Sequence, residues 1–311
     1  MNAALVADPL CETHDPGHGH PEQPGRFRAV LDALEKAGLT EKMARLKARD
    51  ASLDELELVH GAHYLQAAER EIRDGADKLS TGDTNVHVHS WAAARRAAGS
   101  ALVAIDAVCT GKVARAFCVV RPPGHHAGAD YGMGFCVVNN IAVAARYAQQ
   151  RHAVGRVLIV DWDVHHGNGT QDIFYEDGSV FFCSTHQSPW YPGTGAASER
   201  GRGAGLGTTL NFPFPAGSGR EEVLGAIGTK VAAAMEKFRP ELVLISAGFD
   251  SRVGDPLGQF TLTDEDFAEL TRAVRGIADA HAGGRVVSLL EGGYALSGLG
   301  SASAAHVGAL L

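Results

Sequence analysis

The segment RVLIVDWDVHHGNG sets Asp161, Asp163 and His165 at alternating positions where an apolar run ends. In an extended chain, residues two apart project to the same side, so Asp163 and His165 can address one point in space. A carboxylate and an imidazole are both good zinc ligands. A third ligand must come from another strand, and Asp250, which closes ELVLISAGFD, is the candidate. Three protein ligands leave one position for water, the arrangement of a catalytic zinc. A lone Asp or His at a strand end is more often a cap or a satisfied polar group. The weight rests on the whole DxDxHH string beside a second strand-end aspartate. Two carboxylates neutralise a divalent ion, so its water is less acidified than in a three-histidine site. Such a centre needs a nearby base and a donor to the developing oxyanion.

RPPGHHAG supplies a base. Adjacent strand residues point to opposite faces, but Pro122, Pro123 and Gly124 break the strand, and a turn can bring His125 and His126 into one pocket. EGGY supplies the donor: Tyr294 follows two glycines that allow close backbone approach, and its phenol can donate to an oxyanion. Taken singly, a His pair after PPG is more often a surface turn, and a Tyr after a strand is more often structural.

These strings need a scaffold, and the remaining sequence provides one. Continuous β-branched runs at 4–8, 115–120, 156–161, 179–185, 208–212, 241–246 and 285–290 read as strands buried on both faces. Helical patterns fall between them at 25–37, 61–73, 90–110, 138–151, 221–238, 264–281 and 298–310. Strand–helix alternation predicts an α/β fold with a parallel sheet covered on both sides. Ligands gather beyond the carboxyl ends of such strands, which is where every chemical string above falls. The 311 residues, 45% of them apolar, contain no internal repeat and no linker, so one domain over 1–311 is expected.

Composition removes several classes. A net charge of −8 leaves no basic footprint for nucleic acid. Five dispersed cysteines (Cys11, Cys109, Cys118, Cys136, Cys183) form no CxxC pair and read as thiols in a reducing compartment. MNAALVADPL has no basic segment before a long apolar stretch, and no run approaches the roughly 18 apolar residues of a membrane span. A cytoplasmic protein without membrane partners is expected.

With RPPGHH, DWDVHHGNG, AGFD and EGGY in this order, the chain resembles the zinc-dependent histone deacetylase family, nearest its class II-like and bacterial amidohydrolase members. The likeness runs from HPEQPGRF (20–27) to Tyr294. It implies an arginase-like α/β domain with a central, mostly parallel sheet of eight strands and helices on both faces. It also implies one zinc per chain on Asp163, His165 and Asp250, with His126 as general base and acid and His125 as its electrostatic partner. Asp161 would stand behind His125, and Tyr294 would polarise the substrate carbonyl. Gly134 and Phe135 would form one channel wall and Tyr191 the other, while Arg26 would line an internal channel for acetate. A structural potassium is implied at Asp161, Asp163, His165, Ser184 and Thr185, and a second near Phe174, Asp177 and Val180. Two departures stand out. Asn168 replaces the aspartate that class I members place behind the second histidine, which makes His126 a weaker base. NVHVHS (85–90) fills the region of the acidic rim, leaving Asp83 as its nearest candidate.

The resulting expectation is hydrolysis of an N-acyl-lysine or a similar small N-acyl amine. Leu257 bears on the choice, because polyamine-deacetylating relatives carry a Glu there that pairs with a distant ammonium. An acetylpolyamine deacetylase is the alternative, and the net charge of −8 would suit a cationic substrate. A di-metal ureohydrolase would need a second paired-aspartate motif, whereas SAGFDSRVGDP supplies one aspartate in ligand range. His87 and His89 could open a barrel amidohydrolase site, but they precede a helical segment and read as a loop, as does HDPGHGH near the mouth. A non-catalytic acyl-lysine reader would share the ligands and lack turnover. Acyl length, homo-oligomerisation and the metal used in the cell, for which iron(II) or cobalt would also suit these ligands, stay open.

Overall fold

A computed structural model describes residues 1–311. Its eight strands form one sheet: β1 (Ala3–Ala7), β2 (Ala44–Leu46), β3 (Arg115–Val119), β4 (Val157–Asp161), β5 (Val180–Gln187), β6 (Thr209–Phe214), β7 (Leu242–Ala247) and β8 (Val286–Leu290). Their order is β2-β1-β3-β8-β7-β4-β5-β6, and every pairing is parallel. The seven strands expected from apolar runs are all present. β2 escapes such a reading because it is three half-exposed residues on an edge, with no buried run to announce it.

Strands β3, β4, β7 and β8 are buried at every position, which is why they lack the alternation of a one-sided sheet. Each buried Val, Leu or Ile contributes about 1.5–3 kcal/mol relative to an exposed one. One face is covered by the helix Ser90–Cys109, which packs on β1, β3 and β8 and against the helix Asn140–His152. Gly25–Lys36 and Asp264–His281 each pack on Leu296–Leu310, forming a second helical group. The helix Asp264–His281 starts where expected because Thr263 and Asp266 form a reciprocal capping box, worth about 1 kcal/mol. The segment expected as one helix over 221–238 is helical from Arg220 to Phe238, with a π-helical stretch at Ala226–Val231. No helix is long and apolar enough to cross a membrane.

The strand order explains the convergence of the motifs. β3, β8, β7, β4 and β5 are consecutive neighbours in the sheet. Their carboxyl ends therefore deliver RPPGHH, EGGY, AGFD, DWDVHH and the SPWYPGTG loop to one edge, although up to 170 residues separate them in the chain. Register tightens this further, since Asp161 is level with Ser184 on one side and Ser246 on the other.

Candidate active site

Asp163, His165 and Asp250 come together as a buried group whose ligand-capable atoms lie within 4.8 Å of one another. His165 Nδ1 is 3.0 Å from Asp163 Oδ1 and 3.2 Å from Asp250 Oδ2. Ligands at about 2.0–2.2 Å from a tetrahedral ion are separated by about 3.3–3.5 Å, so the spacing suits one small cation. Backbone amides orient both carboxylates: Val164 N donates to Asp250 Oδ1 (2.8 Å) and Gly292 N to Asp163 Oδ2 (2.8 Å). Asp250 Oδ2 is buried without a conventional hydrogen-bond partner. Burial and the neighbouring charge of Asp163 push the Asp250 carboxyl up to about 7. Burial would lower His165, but its two carboxylate partners outweigh that and raise it to about 10. Two adjacent buried carboxylates thus call for positive charge, and a divalent ion answers that demand better than a proton. Gly292 is part of the cradle, because a Cβ there would occupy the space of the Asp163 and Asp250 Oδ2 atoms.

The PPGHH turn does bring both imidazoles inward, with ring centroids 4.0 Å apart and both rings buried. Glu291 sets the turn by accepting N–H bonds from Gly124 (2.7 Å) and His125 (3.2 Å), while Ser246 Oγ donates to its other oxygen (3.0 Å). This buried glutamate was visible only as the first letter of EGGY. Asp161 Oδ2 lies 3.0 Å from His125 Nδ1. Burial lowers His125, yet Asp161 and Asp163 together raise it to about 10, which keeps it cationic. His126 is instead held well below its ordinary value by burial and by the positive charges of His125 and His165. The two histidines are therefore split into a charged and a neutral imidazole.

Asn168 Oδ1 lies 2.7 Å from His126 Nδ1, which puts the proton on Nδ1 and leaves Nε2 free to accept one. Asn168 Nδ2 donates to the Tyr131 hydroxyl (3.3 Å), which donates to Asp172 Oδ2 (2.6 Å). A carboxylate thus stands behind His126 after all, relayed through an amide and a phenol. Neither Tyr131 nor Asp172 carries a motif, since the relay joins a loop to the helix Asn168–Phe174.

A cavity of about 260 Å³ opens over these groups, lined by Asp83, His126, Gly134, Phe135, His165, Trp190, Tyr191, Leu257 and Tyr294. Phe135 sits at φ 67°, an unfavourable conformation for a bulky side chain, costing about 1–2 kcal/mol. Its ring lies 5.9 Å from that of Tyr294, and the Tyr191 ring faces His126 edge-on at 5.3 Å. Trp190, not singled out in the sequence, closes the rim by donating its indole N–H to the Leu257 carbonyl (2.8 Å). Asp83 Oδ1 accepts from Gly134 N (2.8 Å) and the Tyr191 hydroxyl (3.3 Å) at the same mouth. Burial raises the Tyr294 phenol well above its usual value, against the opposing Arg26 charge, so it keeps its hydroxyl hydrogen and can donate a hydrogen bond.

The remaining expected positions divide. Ser184 faces Asp161 in register; its hydroxyl bonds His186 Nδ1 (2.9 Å), and Thr185 Oγ1 is buried without a partner. Near Phe174, Asp177 and Val180, Asp177 Oδ2 pairs with Arg146 (2.5 Å), whose guanidinium lies 4.7 Å over the Phe174 ring. The Phe174 and Asp177 carbonyls also accept protein hydrogen bonds there. Arg26 is fully buried and holds Gly293 O (2.6 Å), Glu291 O (2.5 Å) and Glu22 (2.8 Å), with its guanidinium 4.9 Å over the Tyr294 ring. Those contacts tie it to the segment that carries Tyr294. His87 and His89 lie in the loop before the helix Ser90–Cys109, outside the Asp163–His165–Asp250 group.

Comparison with known proteins places the chain in a family. The histone deacetylase domain pattern matches residues 20–310. The chain is 42% identical to rice "Histone deacetylase 10, chloroplastic" over 94% of its own length and 71% of the relative's. It is 41% identical to the Pseudomonas aeruginosa "Histone deacetylase-like amidohydrolase", covering 89% of this chain and 73% of that one. It is also 41% identical to human "Polyamine deacetylase HDAC10" over 99% of this chain, but spans only 46% of that protein. The crystal structure of the HDA15 HD domain superposes with a TM-score of 0.92 at 36% identity, covering 99% of this chain and 88% of that one. On fold, sequence and the grouping of its polar side chains, the chain belongs to the histone deacetylase family.

Proposed function

We propose that the protein is a zinc-dependent hydrolase that removes an acetyl or other small acyl group from the amine of an N-acyl-lysine or a similar N-acyl amine. The observation that carries this reading is that the Asp163–His165–Asp250 group reaches, through His165, the same cavity that His126 and Tyr294 also line. Deacetylase and amidohydrolase relatives support the reaction class. A zinc ion held by the three ligands would act as a Lewis acid toward the acyl carbonyl and acidify water. His126 Nε2 takes a proton from the attacking water and returns it to the leaving nitrogen, which a neutral amide requires. His125, kept cationic by Asp161, prevents His126 from retaining that proton. Tyr294 donates its hydroxyl hydrogen to the carbonyl oxygen as negative charge develops there. Phe135 and Tyr191 wall an apolar tube suited to an alkyl chain. Potassium at Asp161, Asp163, His165, Ser184 and Thr185 belongs to the same proposal as a structural ion.

Acyl-lysine is the preferred substrate because Leu257 offers a distant ammonium no charge. An acetylpolyamine is the second reading, favoured by the Asp83 carboxylate at the mouth and by the name of the human relative. Steady-state turnover of an acetyl-lysine peptide and of acetylputrescine by the zinc-loaded protein separates them. A higher kcat/KM for the peptide is expected. The reverse order favours the polyamine, and no turnover of either overturns the enzymatic reading. Leu257→Glu should move the preference toward acetylputrescine.

A further inference from the structure

Asp255 lies outside the groups assigned above, yet its buried side chain joins two of them. Asp255 Oδ2 accepts the backbone N–H of Tyr294 (2.7 Å) and of Ala295 (3.0 Å). Its other oxygen accepts the N–H of Leu257 (3.0 Å). The peptide group between Gly293 and Tyr294 is consequently held at both ends. Arg26 Nε donates to its carbonyl at 2.6 Å, and the Asp255 carboxylate accepts from its N–H. A cation at the negative end of a peptide dipole and an anion at its positive end fix the orientation of that plane. Gly293 reaches this plane with φ 117°, which side-chain-bearing residues rarely adopt, so hydrogen bonds rather than local preference must hold it.

We propose that Asp255 is a positioning residue, suspending the phenol-bearing peptide and the rim residue Leu257 from one carboxylate. The inference rests on the proposed role of Tyr294 and deepens it. Leu257 is further tied to the opposite rim through its carbonyl and the Trp190 indole. The rim that meets substrate and the phenol that meets its carbonyl are thereby linked through a single side chain. Nothing in GDPLGQF announces this, because an Asp before Pro in a loop reads as an ordinary turn residue.

The test uses Asp255→Asn, alone and combined with Tyr294→Phe, in the zinc-loaded protein. An amide of the same shape has only one acceptor oxygen, so it must present its NH2 to one of the two sets of N–H groups. On acetyl-lysine peptide, Asp255→Asn is expected to lower kcat roughly 10²-fold with little change in KM, the scale of a misplaced catalytic group. In the Tyr294→Phe background the further loss should be under about twofold, because both changes act through one hydroxyl. Full additivity of the two losses would overturn the proposal. Hydrogen exchange read by mass spectrometry supplies an activity-independent result: peptides over 254–258 and 292–296 should exchange faster while β4 and β7 do not change. Unaltered exchange in both peptides would also overturn it. If Asp255→Asn does not fold, Asp255→Ser replaces it in both measurements. A wild-type protein inactive on every acylated amine, but with the exchange result intact, would remove the functional reading and leave the linkage standing.

Discussion

Replacing Tyr294 with phenylalanine removes one oxygen and little else. The ring keeps its edge contact with Phe135 at 5.9 Å and its place under the Arg26 guanidinium at 4.9 Å. Its backbone stays clamped between Arg26 and Asp255. The fold therefore loses no packed volume, and melting should move little. Catalysis loses a donor that acts on charge present only in the transition state. One such donor is worth about 2.7–4 kcal/mol, or roughly 10²–10³ in kcat. KM should change far less, because the ground-state carbonyl carries little of that charge. The assay is steady-state release of acetate from an acetyl-lysine peptide, with zinc content measured on the same sample. Turnover within about threefold of wild type, at one zinc per chain, would refute the assigned role and with it the reason for two glycines before the tyrosine.

Three further outcomes follow from the same geometry. Asn168→Asp places a carboxylate directly on His126 Nδ1 and stabilises the imidazolium, so the acid limb of the kcat/KM profile should move to higher pH, where the base form now begins to be lost. An unmoved limb would show that another group titrates there. Gly292→Ala drives a methyl into the space of the Asp163 and Asp250 oxygens and should abolish stoichiometric zinc binding while leaving the far edge of the sheet folded, as read by metal analysis and circular dichroism. Glu22 is fully buried and accepts from Arg121 at 2.5 and 2.7 Å and from Arg26 at 2.8 Å. Glu22→Gln leaves those guanidiniums short of a counter-charge and should cost about 3–5 kcal/mol in denaturant unfolding. Burial raises the Glu22 carboxyl, but Arg121, His14 and Arg26 outweigh it and hold it well below its ordinary value. Its stabilisation is therefore present above the unfolded value, about 4.3, and is lost as pH falls through the folded one. The wild-type stability curve should be steeper in acid than that of the variant.

Much of this was legible because sheet and site obey short-range rules. Strands buried on both faces are continuous apolar runs, so seven of them and the strings at their ends could be read directly, and the i, i+2 spacing of Asp163 and His165 carried two of the three residues grouped with Asp250. What escaped depends on distance in the chain. Glu291 shapes the His125 turn from 166 residues away. Asp255 reaches Tyr294 from 39 residues away, and Tyr131 reaches Asp172 from 41. Each is an acceptor or relay whose partner is chosen by the packed fold, which no local pattern encodes. Trp190 was missed for a different reason: an aromatic pair in a Gly- and Pro-rich loop gives no sign of which ring meets the cavity. The contacts of Arg26 with Glu22, Glu291 and Gly293 escaped through distance in the chain, as those of Glu291 did, since two of the three partners lie more than 260 residues away.

The most direct test of the metal centre is a crystal of the zinc-loaded protein with diffraction recorded on both sides of the zinc absorption edge. One anomalous peak per chain is expected, about 2.0–2.2 Å from Asp163, His165 Nδ1 and Asp250, with the Tyr294 hydroxyl facing its open side. Two peaks roughly 3.5–4 Å apart, or a single peak away from these three side chains, would contradict the mononuclear centre on which the proposed hydrolysis depends.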